Sequence, residues 1–257
     1  MLRVYLDESY DNSVMCIGGW LCTEEGWKRL EGKWLERIAY ECRISEKHGH
    51  PPISRYHATD CANLKREFAE SKGWTIPRQI RLVKSLIKIL GTTPQKPIGI
   101  AVGLSLKELK IARADLSNEQ LKAVAYFLCM CECFYNIGNA MDECFLSERV
   151  MVFHDSSDKY NKWAVEAYTQ MFTSNKFRHY ARYFVGNSPA SWKDHPALQP
   201  ADLIAYEGLK LTAARKRGSD DLRKSLQGII GHGIGIRAGF YKPDGLPELA
   251  GFFSIRS

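Results

Sequence analysis

The chain opens with an alternation of apolar Leu2, Val4 and Leu6 against Arg3, Tyr5 and Asp7. A period of two is the pattern of a strand with one buried face. It predicts a first strand over residues 2–7, with Asp7 at its end. Asp11 and Asn12 supply turn chemistry before an apolar run over 14–22 that contains a glycine pair, so the first two strands are expected to form a hairpin. Trp27, Leu30, Trp34, Leu35 and Ile38 recur at helical spacing and predict an amphipathic helix over 24–46. Two prolines and small polar residues predict a loop through HGHPPISRYHATD, with a short extended piece at 54–57. Thr75 as cap and Pro77 in the first turn then open a helix whose apolar face is Ile80, Val83, Leu86, Ile87 and Leu90. GTTPQKP ends it.

Residues 98–106 form the next strand candidate. Ser117 and Gln120 make a capping-box start for a nearly all-apolar helix reaching about residue 140, a composition that buries it on most sides. SERVMVFHD then repeats the opening pattern, a strand-like run that ends in Asp155. A helix over 159–172 follows, with Asp158 as its expected N-cap, then a strand near 180–185 and a helix over 198–217. The Gly-rich stretch 228–240 reads as irregular. Its Gly231, Gly233 and Gly235 lack the following Lys-Ser/Thr of a phosphate-binding loop. Residues 249–255, LAGFFSI, are a candidate edge strand. The order predicts one α/β domain over 1–257, a mixed β-sheet flanked by helices. It carries a helical insertion at 24–95, after the second strand, and an irregular C-terminal extension at 218–257.

Composition narrows the class. With 45% hydrophobic and 25% charged residues, the 257-residue chain has the balance of a folded globular protein. Asp7 and Glu8 stand where an export signal would need an apolar core, and the longest apolar stretch, near AVAYFLCMC, stops at Glu132, short of a bilayer's span. A cytoplasmic location without membrane contact is expected. The eight cysteines form no CxxC pair and suit free thiols. Cys129 and Cys133, one helical turn apart, could share a metal, but small apolar residues lining a buried helix are the commoner case. The net charge of +7 leans towards a polyanionic partner. Arg81, Lys84 and Lys88 share one helix face and could hold a phosphate backbone, or be no more than a solvated face. Arg178, Arg182, Lys210, Arg215, Lys216 and Arg217 add charge later in the chain. Trp74, Trp163 and Trp192 could stack bases, although tryptophan is more often core.

Three motifs carry a resemblance. YLDES at the start, FHD after a mid-chain strand and LQPADLIAY on a late helix resemble a widespread prokaryotic domain-of-unknown-function family with an RNase H-like fold. The likeness covers about residues 1–215. Its hallmarks are an IDESG-like first strand and an LQxADxxAY-like helix. Tyr10 departs from the usual Gly, and Pro200 precedes Ala201 and Asp202. The resemblance implies that Asp7, Glu8, Asp155 and Asp202 converge. Asp7, Asp155 and Asp202 would be ligands of Mg²⁺ or Mn²⁺ and Glu8 would assist. Hard oxygen donors suit those ions, and two of them can drive in-line hydrolysis of a phosphodiester. His57 could orient substrate or protonate a leaving group. The expected activity is a metal-dependent nuclease or related phosphodiester hydrolase. Other readings stay open. Asp7 could start a turn, Glu8 could point away into a salt bridge, Asp202 could complement a helix N-terminus, and His57 could be a hydrogen-bonded core histidine. The alternative readings are a non-cleaving nucleic-acid-binding module, against which the acidic set counts, and a protein-interaction component of a defence or toxin system. DNA and RNA are not distinguished.

Overall fold

Asp11 makes the first turn. Its Oδ1 accepts from the backbone N–H of Ser13 (2.7 Å) and of Val14 (3.0 Å) and from the Ser13 hydroxyl (2.8 Å), an Asx turn that reverses the chain without glycine. The computed structural model describes residues 1–156, 159–175 and 177–240. The turn joins β1 (Leu2–Tyr10) to β2 (Val14–Thr23). With β3 (Ile98–Ser105), β4 (Val150–Asp155), β5 (Phe184–Ala190) and β6 (Ile236–Phe240) they build one six-stranded sheet in the order β5-β4-β1-β2-β3-β6. β1–β2 and β2–β3 pair antiparallel, while β1–β4, β4–β5 and β3–β6 pair parallel, so β2 alone runs against the rest. The protein is thus α/β, with a mixed sheet flanked by helices.

Helices cover both faces. On one lie α4 (Leu106–Ala112), α5 (Asn118–Cys144) and α6 (Asn161–Thr173), packed on Val4, Leu6, Ile17, Val102 and Val152. On the other lie α1 (Glu24–Lys47), α2 (Ala58–Ala62), α3 (Ile76–Thr92), α7 (Leu198–Arg215) and α8 (Lys224–Gly231), packed on Tyr5, Cys16, Trp20 and Ala101. Trp20, Trp27, Trp34 and Trp74 are fully buried on this second face, and each large apolar side chain removed from water contributes roughly 1.5–3 kcal/mol. Arg78 pins α3 to α1. Its Nε donates to Glu41 (2.8 Å) and its Nη2 to the Glu41 carbonyl and Ser45 Oγ (2.9 Å each), and the guanidinium lies 4.1 Å from the Trp74 ring centroid.

α7 crosses the sheet at very close range. A Cβ on Gly18 would sit 2.6 Å from the backbone N of Ala205 and 2.7 Å from its Cα, so only glycine admits the helix at that depth. Pro200 does not disturb the start of α7, because it falls in the first turn, where backbone N–H groups have no helical partner.

Several expectations are corrected. β1 runs on to Tyr10, so Asp7 lies inside the strand and not at its end. The aromatic run at 180–185 is mostly a 3-10 turn, Tyr180–Tyr183, and the strand is Phe184–Ala190. Within 218–240, α8 and β6 stand where an irregular extension was expected, and β6 continues the sheet beside β3; the rest of that extension, 241–257, lies outside the described residues. α4 was not expected. Leu35 and Ile80, counted in apolar faces, are 43% and 44% exposed, while Leu82 and Arg78 take the buried positions of α3. Asp158 and the candidate strand at 249–255 lie outside the described residues. Among the described residues no helix is long and apolar enough to cross a membrane.

Candidate metal centre

The site is built where the parallel ladder between β1 and β4 ends, at the C-terminus of β4 and within β1. The last pair of the β1–β4 ladder is Leu6 with His154, so Asp7 and Asp155 are the next positions on each strand. Tyr5 and Phe153 pack on the α7 face, and Leu6 and Val152 on the α5 face. The two-residue period therefore turns Asp7 and Asp155 towards α7, and Glu8 and His154 towards α5. Alternation does not keep Glu8 out, however. One carboxylate oxygen from each of Asp7, Glu8 and Asp155 lies within 4.8 Å of the other two. β4 stops at Asp155 while β1 continues, and the backbone N–H of Glu8 donates to Asp7 Oδ1 at 2.8 Å.

Asp202 stands beside this group, one turn before the α7 contact at Gly18, which in turn pairs with Asp7 across β1 and β2. Its charge acts on Asp7. One of its oxygens is already committed, since Asp202 Oδ2 accepts from the backbone N–H of Ala58 at 2.7 Å. It thus caps the first turn of α2, not the N-terminus of its own helix. Gln199 Oε1 accepts from Tyr56 N–H (2.9 Å) and Trp34 Nε1–H (3.3 Å), and the Pro200 carbonyl accepts from Trp20 Nε1–H (2.8 Å). The α7 motif therefore also fastens the insertion to the sheet.

The electrostatics follow from gathering acids at a half-buried strand end. Burial, then Asp202, Glu8 and Asp155, push the Asp7 carboxyl well above the usual range. Burial, then Asp155, push Glu8 up to about 8. Asp155 is raised by burial against the pull of Arg55, and Asp202 by burial against His57, the Ala58 N–H and Arg55. Among the described residues, none of the four carboxylates has a Lys, Arg or His within ion-pair distance. Acids this close, with oxygen donors and no paired cation, fit a hard divalent ion.

His57 neighbours Asp202 and is 30% exposed. Its Nδ1 lies 2.9 Å from Asp60 Oδ2 and 3.3 Å from the Asp60 backbone nitrogen. The two contacts require opposite protonation of Nδ1. Asp60 thus holds the ring through either contact, with its carboxylate as acceptor or its backbone N–H as donor. Arg55, which the sequence reading passed over, stacks on Trp192 at 4.7 Å and acts on both Asp155 and Asp202. Its signal was its place two residues before His57, in the piece expected to be extended at 54–57; the chain instead bends at Ser54 and Arg55. Arg81, Lys84 and Lys88 lie elsewhere, on the outer face of α3. Trp74 is core, and Cys129 and Cys133 are buried in α5, where burial raises their thiols and disfavours the thiolate a metal needs.

No protein-family model matches the chain, and no curated protein matches it.

Proposed function

We propose that the protein is an RNase H-like, divalent-cation-dependent phosphodiester hydrolase acting on nucleic acid. The observation that carries the reading is the meeting of Asp7, Glu8 and Asp155 within 4.8 Å, with no ion-paired cation among the described residues, where the parallel β1–β4 ladder ends. Ligand sites of α/β sheets form at such strand ends. The order β3-β2-β1-β4-β5, an antiparallel meander continued by two parallel strands, supports the RNase H-like assignment, with β6 as an addition at one edge.

Asp7, Glu8 and Asp155 would hold Mg²⁺ or Mn²⁺, with Asp202 adding charge behind Asp7. The bound ion or ions would activate a water and neutralise the phosphodiester. The chain's own groups do the rest. Asp60 fixes the ring of His57, so that Nε2 can exchange a proton with the leaving oxygen or the attacking water. Arg55, whose guanidinium carbon lies 4.7 Å from the Trp192 ring centroid, offers a planar donor fork to a phosphate oxygen.

The test is cleavage of labelled single- and double-stranded DNA and RNA with Mg²⁺ or Mn²⁺, by wild type and Asp155→Asn. Metal-dependent product from wild type, reduced at least a hundredfold in the variant, is the expected result. Binding that persists in EDTA with no product at any metal concentration would replace the enzyme by a non-cleaving binding module.

A further inference from the structure

The insertion carries a charged surface that the acidic centre does not use. Between the outward faces of α1 and α3 run two adjoining depressions of about 450 and 460 Å³, which share Arg37, Tyr40 and Ser85 in their walls. Lys33, Arg37 and Arg43 line them from α1, and Arg81, Lys84 and Lys88 from α3. The lining acids are Glu36 and Glu41. Glu41 is buried and already bound by Arg37 and Arg78. Lys33, Arg43, Arg81, Lys84 and Lys88 are exposed and form no ion pair among the described residues. The groove thus gathers five exposed cations without an ion pair among the described residues against one exposed acid, Glu36, on a base held by the buried Arg78–Glu41 pair.

We propose that the α1–α3 groove binds the phosphate backbone of a nucleic acid. Positions 81, 84 and 88 span about 10.5 Å of helix at 1.5 Å per residue, which covers about three phosphate-to-phosphate steps, hence about four successive phosphates, at roughly 3.4 Å of duplex axis per step. Tyr40, 48% exposed with the Arg37 guanidinium 4.8 Å from its ring centroid, offers an aromatic face to a sugar or base on the groove floor. α1, α3 and α7 lie on the same side of the sheet, and the chain leaving α1 leads directly to the segment with Arg55 and His57. A strand held in the groove is therefore on the face that carries Asp202. The inference takes its ligand from the proposed function, but its test does not need cleavage.

The test is fluorescence anisotropy of labelled 30-mer single strands and duplexes of DNA and RNA, in EDTA, across a salt series. The triple variant Arg81→Glu/Lys84→Glu/Lys88→Glu should bind at least tenfold more weakly and lose roughly 2–3 from the log–log salt slope. Arg81→Gln/Lys84→Gln/Lys88→Gln should move in the same direction and covers the case of a misfolded charge reversal. Lys107→Glu/Lys162→Glu/Arg178→Glu makes the same change in net charge on the α4–α6 side and should weaken binding less than threefold. Equal loss in both reversal triples, no loss in the groove triple, or no binding of any probe by wild type overturns the proposal. Loss confined to the groove triples in a protein that cleaves nothing upholds the groove and removes the hydrolase reading. Cleavage by a groove triple with wild-type binding does the reverse.

Discussion

Replacing Asp7 by Asn should raise stability without metal and abolish the response to metal, two shifts of opposite sign from one substitution. Two unit charges 4.8 Å apart repel by about 3.5 kcal/mol at an effective dielectric of about 20 and by about 0.9 kcal/mol in water. Asp7 is half-buried and faces Glu8, Asp155 and Asp202, so removing its charge should recover roughly 1–3 kcal/mol once the pH is high enough to ionise its raised carboxyl. At about 2–4 °C per kcal/mol for a chain of this size, the midpoint rises by roughly 2–12 °C. Asn keeps an oxygen for the Glu8 N–H, so the local hydrogen bond survives. The sign with pH is fixed by the raised carboxyls of Asp7 and Glu8. Their contribution is fully present below the unfolded values near 4 and is lost as pH rises through the folded ones, about 8 for Glu8. Metal-free wild type should therefore lose midpoint from pH 5.5 to 9, and the variant should lose less. A ligand at a hundred times its Kd adds about 2.7 kcal/mol, a rise of roughly 5–11 °C in wild type with Mn²⁺. Differential scanning fluorimetry across pH, with EDTA or Mn²⁺, reads all of this. A variant whose midpoint in EDTA falls as steeply as wild type's from pH 5.5 to 9, or one that keeps the full Mn²⁺ rise, would refute the reasoning.

Other expectations follow from neighbouring contacts. Gly18→Ala puts a Cβ against the Ala205 backbone and should cost roughly 1–3 kcal/mol in urea denaturation as α7 lifts; an unchanged midpoint would mean the helix has room to spare. Asp202→Asn retains an acceptor for the Ala58 N–H while losing the charge, so it should match or exceed wild type in EDTA. Asp202→Ala leaves that N–H unpaired and should fall by roughly 1–3 kcal/mol; equal behaviour of the two would deny the capping role. His57→Ala should lower metal-dependent cleavage by roughly a hundredfold or more while leaving the Mn²⁺ rise intact, and loss of that rise would make His57 a ligand instead.

What the sequence made legible was local. The Asx turn at Asp11, the Ser117–Gln120 capping box and the Thr75 cap with Pro77 behind it each rest on contacts within a few residues, and each forms. What it hid depends on distant partners. Tyr180 and Tyr183 look like strand residues because they are aromatic, but they are bound to α5, through Asn139 and Asp142. β6, five residues long and preceded by Gly231, Gly233 and Gly235, exists because the edge of β3 accepts it in parallel register.

The acidic site shows the same division in miniature. Two strands ending in acid were visible as two similar patterns, and the parallel ladder sets Asp7 and Asp155 side by side. Alternation gave Glu8 its face but not its reach. At a strand end where β4 has stopped, a longer side chain can turn round the edge of the sheet to its neighbour's carboxylate, and period-two reasoning has no term for that. Asp202 shows the converse. Its motif looked purely chemical, yet Gln199, Pro200 and Asp202 bind Tyr56, Trp34, Trp20 and Ala58. The contacts that bring the insertion's Arg55 and His57 to the acids are thus made by the same helical turn that supplies the fourth carboxylate. A substitution there tests architecture and chemistry together, and only an isosteric loss of charge separates them.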